Sequence, residues 1–343
     1  MPHRTFLWFI LPSLVAMFVF IAMPLVSVVV QSLFVEHEQV LKTVENCGPF
    51  GCTEETTVDL DATSEIRAAE PLGRFNGLGT YFDRRHLASA EFSQAWAEAE
   101  SWSGFFSRLY NLPFYKAISF TLAYTFIVTP IVIVLGFFIA LSVNRLRPAL
   151  KGPATFVSLL PMIVTPLIGS LILFWMIDAQ GIIGKSLQWI FADPNLSLKA
   201  SPTLTWVMLM VYGVWHAAPF AFVVFYAGLQ TVSTDALEAA QIDGATRWQQ
   251  VRYVVIPHLM PLVVFIALIQ LMDNFRVFEP IVGFSAEANA TSLSYIIFAD
   301  LRGDFMRFGS AAATSVLTIL GVAILLTPVL IRTWRDFQGR AVT

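Results

Sequence analysis

Six apolar runs set the terms on which this chain can fold. They cover about Leu7–Val30, Ala117–Val143, Phe156–Ile177, Thr203–Leu229, Leu259–Val282 and Phe308–Ile331. Each reaches the ~20 residues that cross a hydrocarbon layer at about 1.5 Å per residue. Hydrocarbon holds no water to pair with a backbone N–H or C=O, so each run is predicted to be a helix that closes its own hydrogen bonds. A large soluble core could bury one such helix, but not six. Only 13% of the residues are charged, against about 25% in an ordinary soluble chain. The chain reads as an all-α integral membrane protein.

The first run differs from a secretory leader. Its apolar stretch is about twice the 7–15 residues of a leader core. It also contains Pro12 and Pro24 and continues into Gln31–Val35 without a small-residue cleavage site. A retained membrane helix is expected.

Lys and Arg in short loops set orientation, because cations stay on the cytoplasmic side. With the N-terminus inside, the cytoplasmic pieces carry Arg4, Arg145, Arg147, Lys151, Arg247, Arg252, Arg332, Arg335 and Arg340. The loop Asn144–Gly152 holds three of these and no acid. The long segment Val35–Pro113, with thirteen acids against six Lys and Arg, then lies outside. Both termini are expected in the cytoplasm.

That outer segment is too long for a simple connector. Its first half, rich in Glu, Asp, Thr and Gly, reads as irregular or strand-like. Its second half, near Leu87–Leu109, reads as helical, with Phe92, Trp96, Trp102, Phe105 and Phe106 on repeating faces. It also holds the only cysteines, Cys47 and Cys52, in the run Cys-Gly-Pro-Phe-Gly-Cys. An oxidising face allows a disulfide there. Free thiols are the alternative, and a metal site would need about four ligands, for which His86 stands far along that loop.

Between Ser233 and Pro257 a polar island separates two apolar runs. Ser233, Thr234 and Asp235 are good N-cap residues, and an early acid suits the helix dipole. Leu237 through Ile242 should make about two turns, ended by Gly244 in the left-handed cap geometry. A second short helix is expected before Pro257 opens the next membrane helix. An ordinary interfacial helix would carry Lys, Arg and an apolar stripe, and Asp235–Gly244 carries neither. The sequence here is Glu238-Ala239-Ala240, three residues, Gly244, nine residues, then Val254, Ile256 and Pro257 at the closing positions. It resembles the loop by which the membrane subunits of bacterial ABC importers grip their ATPase. The resemblance implies that Leu237, Glu238, Ala239, Ala240, Asp243, Gly244 and Ala245 couple this chain to ATP hydrolysis in another subunit.

Two membrane helices carry polar or aromatic groups that packing alone does not demand. The fourth reads Gly213-Val214-Trp215-His216-Ala217-Ala218-Pro219-Phe220, and the fifth contains Asp273, Asn274, Arg276 and Glu279. Ionisable groups at membrane depth usually face a bundle interior or a pathway. Asp273 and Glu279 stand at helical i−3 and i+3 from Arg276, in reach of an ion pair. The bland readings are an ion-pair ladder for Arg276, helix packing for Trp215 and Phe220, and a satisfied core residue for His216. Both stretches resemble the sugar-contacting helices of maltose-type permeases. The likeness implies a substrate pathway along Trp215, His216, Ala217, Phe220, Asp273, Asn274 and Arg276. Gly213 and Phe220 stand where that family has a side-chain amide and a tyrosine, so maltose itself is not implied. A third likeness is the Gly77-Leu78-Gly79-Thr80-Tyr81 element, similar to the entry of the transporting core in sugar-uptake permeases.

These resemblances imply a type I ABC importer permease of the carbohydrate-uptake family, related to maltose, lactose and glycerol-phosphate importers. The expected fold is a six-helix bundle in the bacterial inner membrane with an extended outer loop after the first helix. Residues 1–34 would form the cytoplasmic N-terminus and first helix, 35–113 a periplasmic small domain, 114–335 the transporting core with coupling loop 233–257, and 336–343 a tail. The expected partners are a second homologous permease, two ABC ATPase subunits, a periplasmic solute-binding protein, membrane lipid and a sugar-like substrate. No cofactor is expected in this chain, since ATP and Mg would sit in the ATPase subunits. The run Ala179-Gln-Gly-Ile-Ile-Gly-Lys-Ser lacks the first glycine of a phosphate loop and follows a membrane helix, so it is not read as a nucleotide site. No catalytic constellation, metal set or nucleic-acid surface is visible. The competing classes are an ion-driven secondary transporter using Asp273, Arg276 and Glu279 as a relay, and a membrane enzyme or scaffold using the outer loop. Co-purification of ATPase subunits would separate them.

Overall fold

Apolar runs of this length form helices, and prolines decide where those helices bend. The structure, a computed structural model, describes residues 2–48, 51–99, 101–199, 201–303 and 306–340. Five helices are long and apolar enough to cross a membrane: Phe6–Gln31, Pro113–Asn144, Pro202–Leu229, Arg247–Phe275 and Phe308–Arg335. Pro148–Ile163 and Pro166–Met176 meet at 94° and, counted as one crossing, make a sixth. They are numbered here as spans one to six in chain order.

Three expectations about these helices need correction. The third span is not one helix over 156–177. Pro166 bars the residue before it from the α region, and Thr165 sits at ψ 145. The fifth span ends at Phe275, short of Val282. Pro280 has no N–H for the Arg276 carbonyl and its ring would strike it. Phe278 accordingly leaves the helix at φ −142, and a new short helix runs over Glu279–Gly283. The second coupling helix is not separate either. It is the first turn of the fifth span, which runs on from Arg247 through a π turn at Val251–Val255. That π turn lies just before Pro257, as another at Phe18–Ala22 lies just before Pro24. Widening the turn re-registers the carbonyl that a proline cannot pair.

Each break frees carbonyls, and at membrane depth a lone carbonyl is costly. Buried or half-buried side chains take two of them. His216 Nδ1 donates to Pro161 O at 2.9 Å, and Ser292 Oγ to Val277 O at 2.5 Å. The Tyr212 hydroxyl donates to Pro166 O at 2.7 Å, which ties span four to the first residue after the break.

The chain divides into two compact units, Met1–Tyr115 with Ile296–Ile319, and Lys116–Tyr295 with Leu320–Thr343. The second, the core unit, packs Phe120, Tyr124, Leu209, Tyr212, Phe222, Phe225, Leu259 and Ile266 at its centre. Spans two and four touch closely there. A Cβ on Gly136 would lie 2.5 Å from the Ala221 Cβ, so only glycine permits the contact.

The first, the loop unit, holds the strands. Leu41–Gly48 pairs antiparallel with Gly51–Val58, so the first half of the loop is a regular hairpin followed by a helix over Leu60–Ala69. Asp59 caps that helix by accepting from Ala62 N, which holds its carboxyl below the usual range. Phe34–Val35 pairs with Arg74–Phe75, and Tyr81 meets Ser32 Oγ at 2.6 Å. The Gly-Leu-x-x-Tyr element thus fastens the end of span one.

The register sets Cys47 opposite Cys52. Opposed residues of an antiparallel pair have Cα atoms about 4.5–5.5 Å apart, inside the range a disulfide spans. Both cysteine side chains lie outside the described residues, so the bridge stands as a prediction. Mass spectrometry of non-reduced peptides should return the two cysteines linked. Two alkylatable thiols in freshly prepared membranes would count against it.

Candidate functional site

Two helix breaks and two continuous spans enclose a cavity of about 510 Å³ in the core unit. That size suits a small organic ligand. Span two contributes Tyr124, the broken third span Met162 and Pro166, and span four Tyr212, Gly213, His216, Ala217 and Phe220. Span five and the residues after it add Ile269, Gln270, Asp273, Asn274, Arg276, Val277, Glu279 and Pro280.

His216, Ala217, Phe220, Asp273, Asn274 and Arg276, picked from sequence, therefore share one cavity. Trp215 does not join them: its ring is exposed and packs against Tyr212 with centroids 5.9 Å apart. Asn274 is buried, and its amide NH2 donates to Thr129 Oγ1 at 3.0 Å and Gln270 Oε1 at 3.5 Å. The Thr129 hydroxyl thus fixes the amide across two spans. His216 spends Nδ1–H on Pro161 O and stacks on Tyr212, which in the neutral ring leaves Nε2 as an acceptor. His216 is both a satisfied residue and a cavity wall.

Arg276 pairs with Asp273, Nη2 to Oδ1, at 2.9 Å. Glu279 does not complete a ladder, because the helix ends between them and Glu279 makes no ion pair among the described residues. Asp273 and Arg276 keep side-chain exposures of 51% and 59%, so the trio is not a buried relay.

Sequence reasoning missed Tyr124. It is 3% exposed, on span two, among ordinary apolar neighbours. A Cβ on Gly213 would lie 2.1 Å from its hydroxyl. Gly213 therefore does more than lose an amide: it makes room for a hydroxyl from another helix. The signal was faint, a tyrosine three helical turns from Gly136 on the same span.

The coupling loop is built as its caps dictate. A helix covers Thr234–Ile242, with Ser233 Oγ accepting from Ala236 N. Gly244 follows at φ +82, Gly244 N donates to Gln241 O at 3.0 Å, and Ala245 N to Ala240 O at 2.9 Å. This pair of bonds is a Schellman ending, which needs a residue at positive φ. Thr246 and Gln249 then cap the fifth span reciprocally. Glu238, Ala239, Asp243 and Gly244 face outward, Ala240 and Ala245 are half-buried, and Leu237 packs into the core cluster. Ile242 and Trp248, not singled out in the sequence, stand 86% and 59% exposed beside them. Large apolar groups inside a polar island were the available signal.

The Ala179–Ser186 run offers phosphate nothing. A Cβ on Gly181 would lie 2.3 Å from Trp175 O, and one on Gly184 1.9 Å from Asp178 O. Its glycines allow close packing on carbonyl oxygens, which repel an anion.

A family described as "Binding-protein-dependent transport system inner membrane component" matches residues 102–334. The chain belongs to this family. The match takes in the cavity, the coupling loop and spans two to six of the permease. Among its relatives, the trehalose transport system permease protein SugA of Mycobacterium tuberculosis is 28% identical over 212 residues, covering 62% of this chain and 67% of that protein. The lactose transport system permease protein LacF of Rhizobium radiobacter is 24% identical over 233 residues, covering 66% and 78%. A crystal structure of a bacterial ABC transporter involved in the import of the acidic polysaccharide alginate contains a chain of the same fold. It aligns with a TM-score of 0.58 at 21% identity, over 81% of this permease and 97% of that chain. This permease is a multi-pass inner-membrane transport component of the ABC importer kind.

Proposed function

We propose that this permease is one of two membrane subunits of an ATP-driven, binding-protein-dependent importer for a neutral sugar or related polyol. The convergence of His216, Phe220 and Asn274 on one cavity carries this reading. Polyhydroxyl ligands need hydrogen-bonding groups beside an aromatic face, and Tyr124, Gln270 and Asn274 beside Phe220 offer that mixture. Arg276 is neutralised by Asp273, and Glu279 leaves the wall formally negative, which disfavours an anionic ligand. Trehalose and lactose permeases among the relatives point the same way.

Transport works by alternating access. One of two ATPase subunits docks on the surface formed by Glu238, Ala239, Ile242 and Gly244, on the cytoplasmic side with both termini. ATP closes the ATPase pair, the docked loop moves with it, and the bundle opens outward to take substrate from a periplasmic binding protein. ADP release reverses the movement. The cavity binds weakly enough to release inward, so a few hydrogen bonds and one aromatic face suffice.

Asn274→Ala removes bonds worth about 0.5–1.5 kcal/mol each. Uptake of radiolabelled sugar should slow, while ATPase stimulation by the loaded binding protein persists, because stimulation depends on docking and delivery on the cavity. If Asn274→Ala, His216→Ala and Phe220→Ala, all present in the membrane at parental levels, transport like the parent, the pathway lies elsewhere.

A further inference from the structure

We infer that the paired helices Ser89–Ala97 and Trp102–Tyr110 form an aromatic wedge that sits in the phospholipid headgroup layer beside the start of span two. On the orientation proposed above this is the outer leaflet.

The pair has two faces. Ala95, Phe105, Leu109 and Leu112 are buried in a small core of their own within the loop unit. The adjoining face leaves Trp102, Phe106 and Tyr110 exposed by 69%, 61% and 42%. These three recur every fourth residue and so form one stripe. Trp96, 58% exposed, extends it from the first helix, with its ring 5.7 Å from that of Trp102. So large an apolar face on a folded unit marks a contact.

Chain continuity identifies the occupant. Tyr110 is three residues from Pro113, where span two begins, and three residues reach at most about 10 Å. The headgroup layer on each side of the hydrocarbon is about 5–8 Å deep. The wedge is also fixed to the first turn of that span. Tyr115 stacks on Phe92 at 6.2 Å and donates its hydroxyl to Leu87 O at 2.9 Å. A stripe tied so closely to the point of entry cannot leave the interface. Trp and Tyr are the residues that favour this layer, since each has an apolar body and one polar group.

A saccharide platform fits less well. The cleft between the two helices is lined by Trp96, Ala99, Ser101, Trp102 and Phe105. Its one hydroxyl, on Ser101, already accepts from Gly104 N and meets Ser103 Oγ. Among the described residues of the two helices and their linker the one cation, Arg108, pairs with Glu98, which leaves no free cation to favour an anionic headgroup. Binding should therefore be indifferent to lipid charge.

The test is nitroxide labelling of the full transporter in vesicles. Phe106→Cys and, separately, Trp102→Cys are made with Cys47 and Cys52 replaced by serine. Collision with oxygen, which enters lipid, is compared with collision with a water-soluble nickel chelate. Ser64→Cys, on the exposed face of the Leu60–Ala69 helix, gives the aqueous reference. The oxygen-to-nickel ratio at 106 and 102 should rise several-fold over that at 64, equally in phosphatidylcholine and in phosphatidylethanolamine–phosphatidylglycerol vesicles. A ratio equal to that at 64 overturns the proposal. So does a label shielded from both reagents, or one immobilised only when binding protein is added, since either assigns the face to a protein partner.

Discussion

Gly244→Val will abolish uptake while leaving the permease in the membrane. Gly244 holds φ +82 and a Cβ there would meet nothing within 4 Å. The penalty is therefore conformational and not steric crowding. Left-handed geometry costs an L-residue roughly 1–2 kcal/mol, and more when the side chain is β-branched. A two-turn helix cannot absorb that, so its Schellman ending opens and the Ala245 N and Gly244 N bonds to Ala240 O and Gln241 O are lost. The outward face that carries Glu238, Ala239 and Ile242 then loses its fixed angle to span five. Glu238→Lys should give the same transport defect by another route, by reversing a charge at the docking surface without disturbing the fold. The measurement is sugar uptake with membrane abundance scored in parallel, followed by recovery of ATPase subunits with the purified permease. Normal uptake in both variants would sink the coupling role of this loop.

Gly213→Ala should be the most damaging single methyl in the cavity. The new Cβ would lie 2.1 Å from the Tyr124 hydroxyl and 2.8 Å from its Cζ. Tyr124 is 3% exposed, with Phe120 packed at 5.9 Å, so it cannot swing clear. Overpacking of this kind costs about 1–3 kcal/mol. It should lower both thermal stability in detergent and uptake. Tyr124→Phe removes the closer atom and leaves Cζ tight, so the double variant should recover stability in part. It should recover less of the uptake, because the hydroxyl facing the substrate is gone. A Gly213→Ala permease with parental stability and parental uptake would refute the packing account. A double variant that recovers uptake as fully as stability would remove Tyr124 from the substrate wall.

Local rules were sufficient for much of this chain. Six apolar runs announced helices because hydrocarbon permits little else. Ser233 and Gly244 marked the ends of the coupling helix because caps act within one turn. Polar residues on spans four and five pointed to a shared cavity because membrane-buried polarity is costly unless it lines something. The helix breaks were a different matter. Pro130, Pro219 and Pro328 sit inside unbroken helices, while Pro166 and Pro280 end them. A proline removes one hydrogen bond wherever it falls. Whether the helix then breaks depends on whether distant side chains can take the freed carbonyls, as His216 and Ser292 do here. The same holds for Tyr124, whose place in the cavity depends on a glycine 89 residues away on another helix. Sequence determined that the apolar runs are helical and where the coupling helix begins and ends, since those energies are local. Tertiary structure alone decided which helices fracture and which side chains meet, since those energies depend on partners brought together only by the fold.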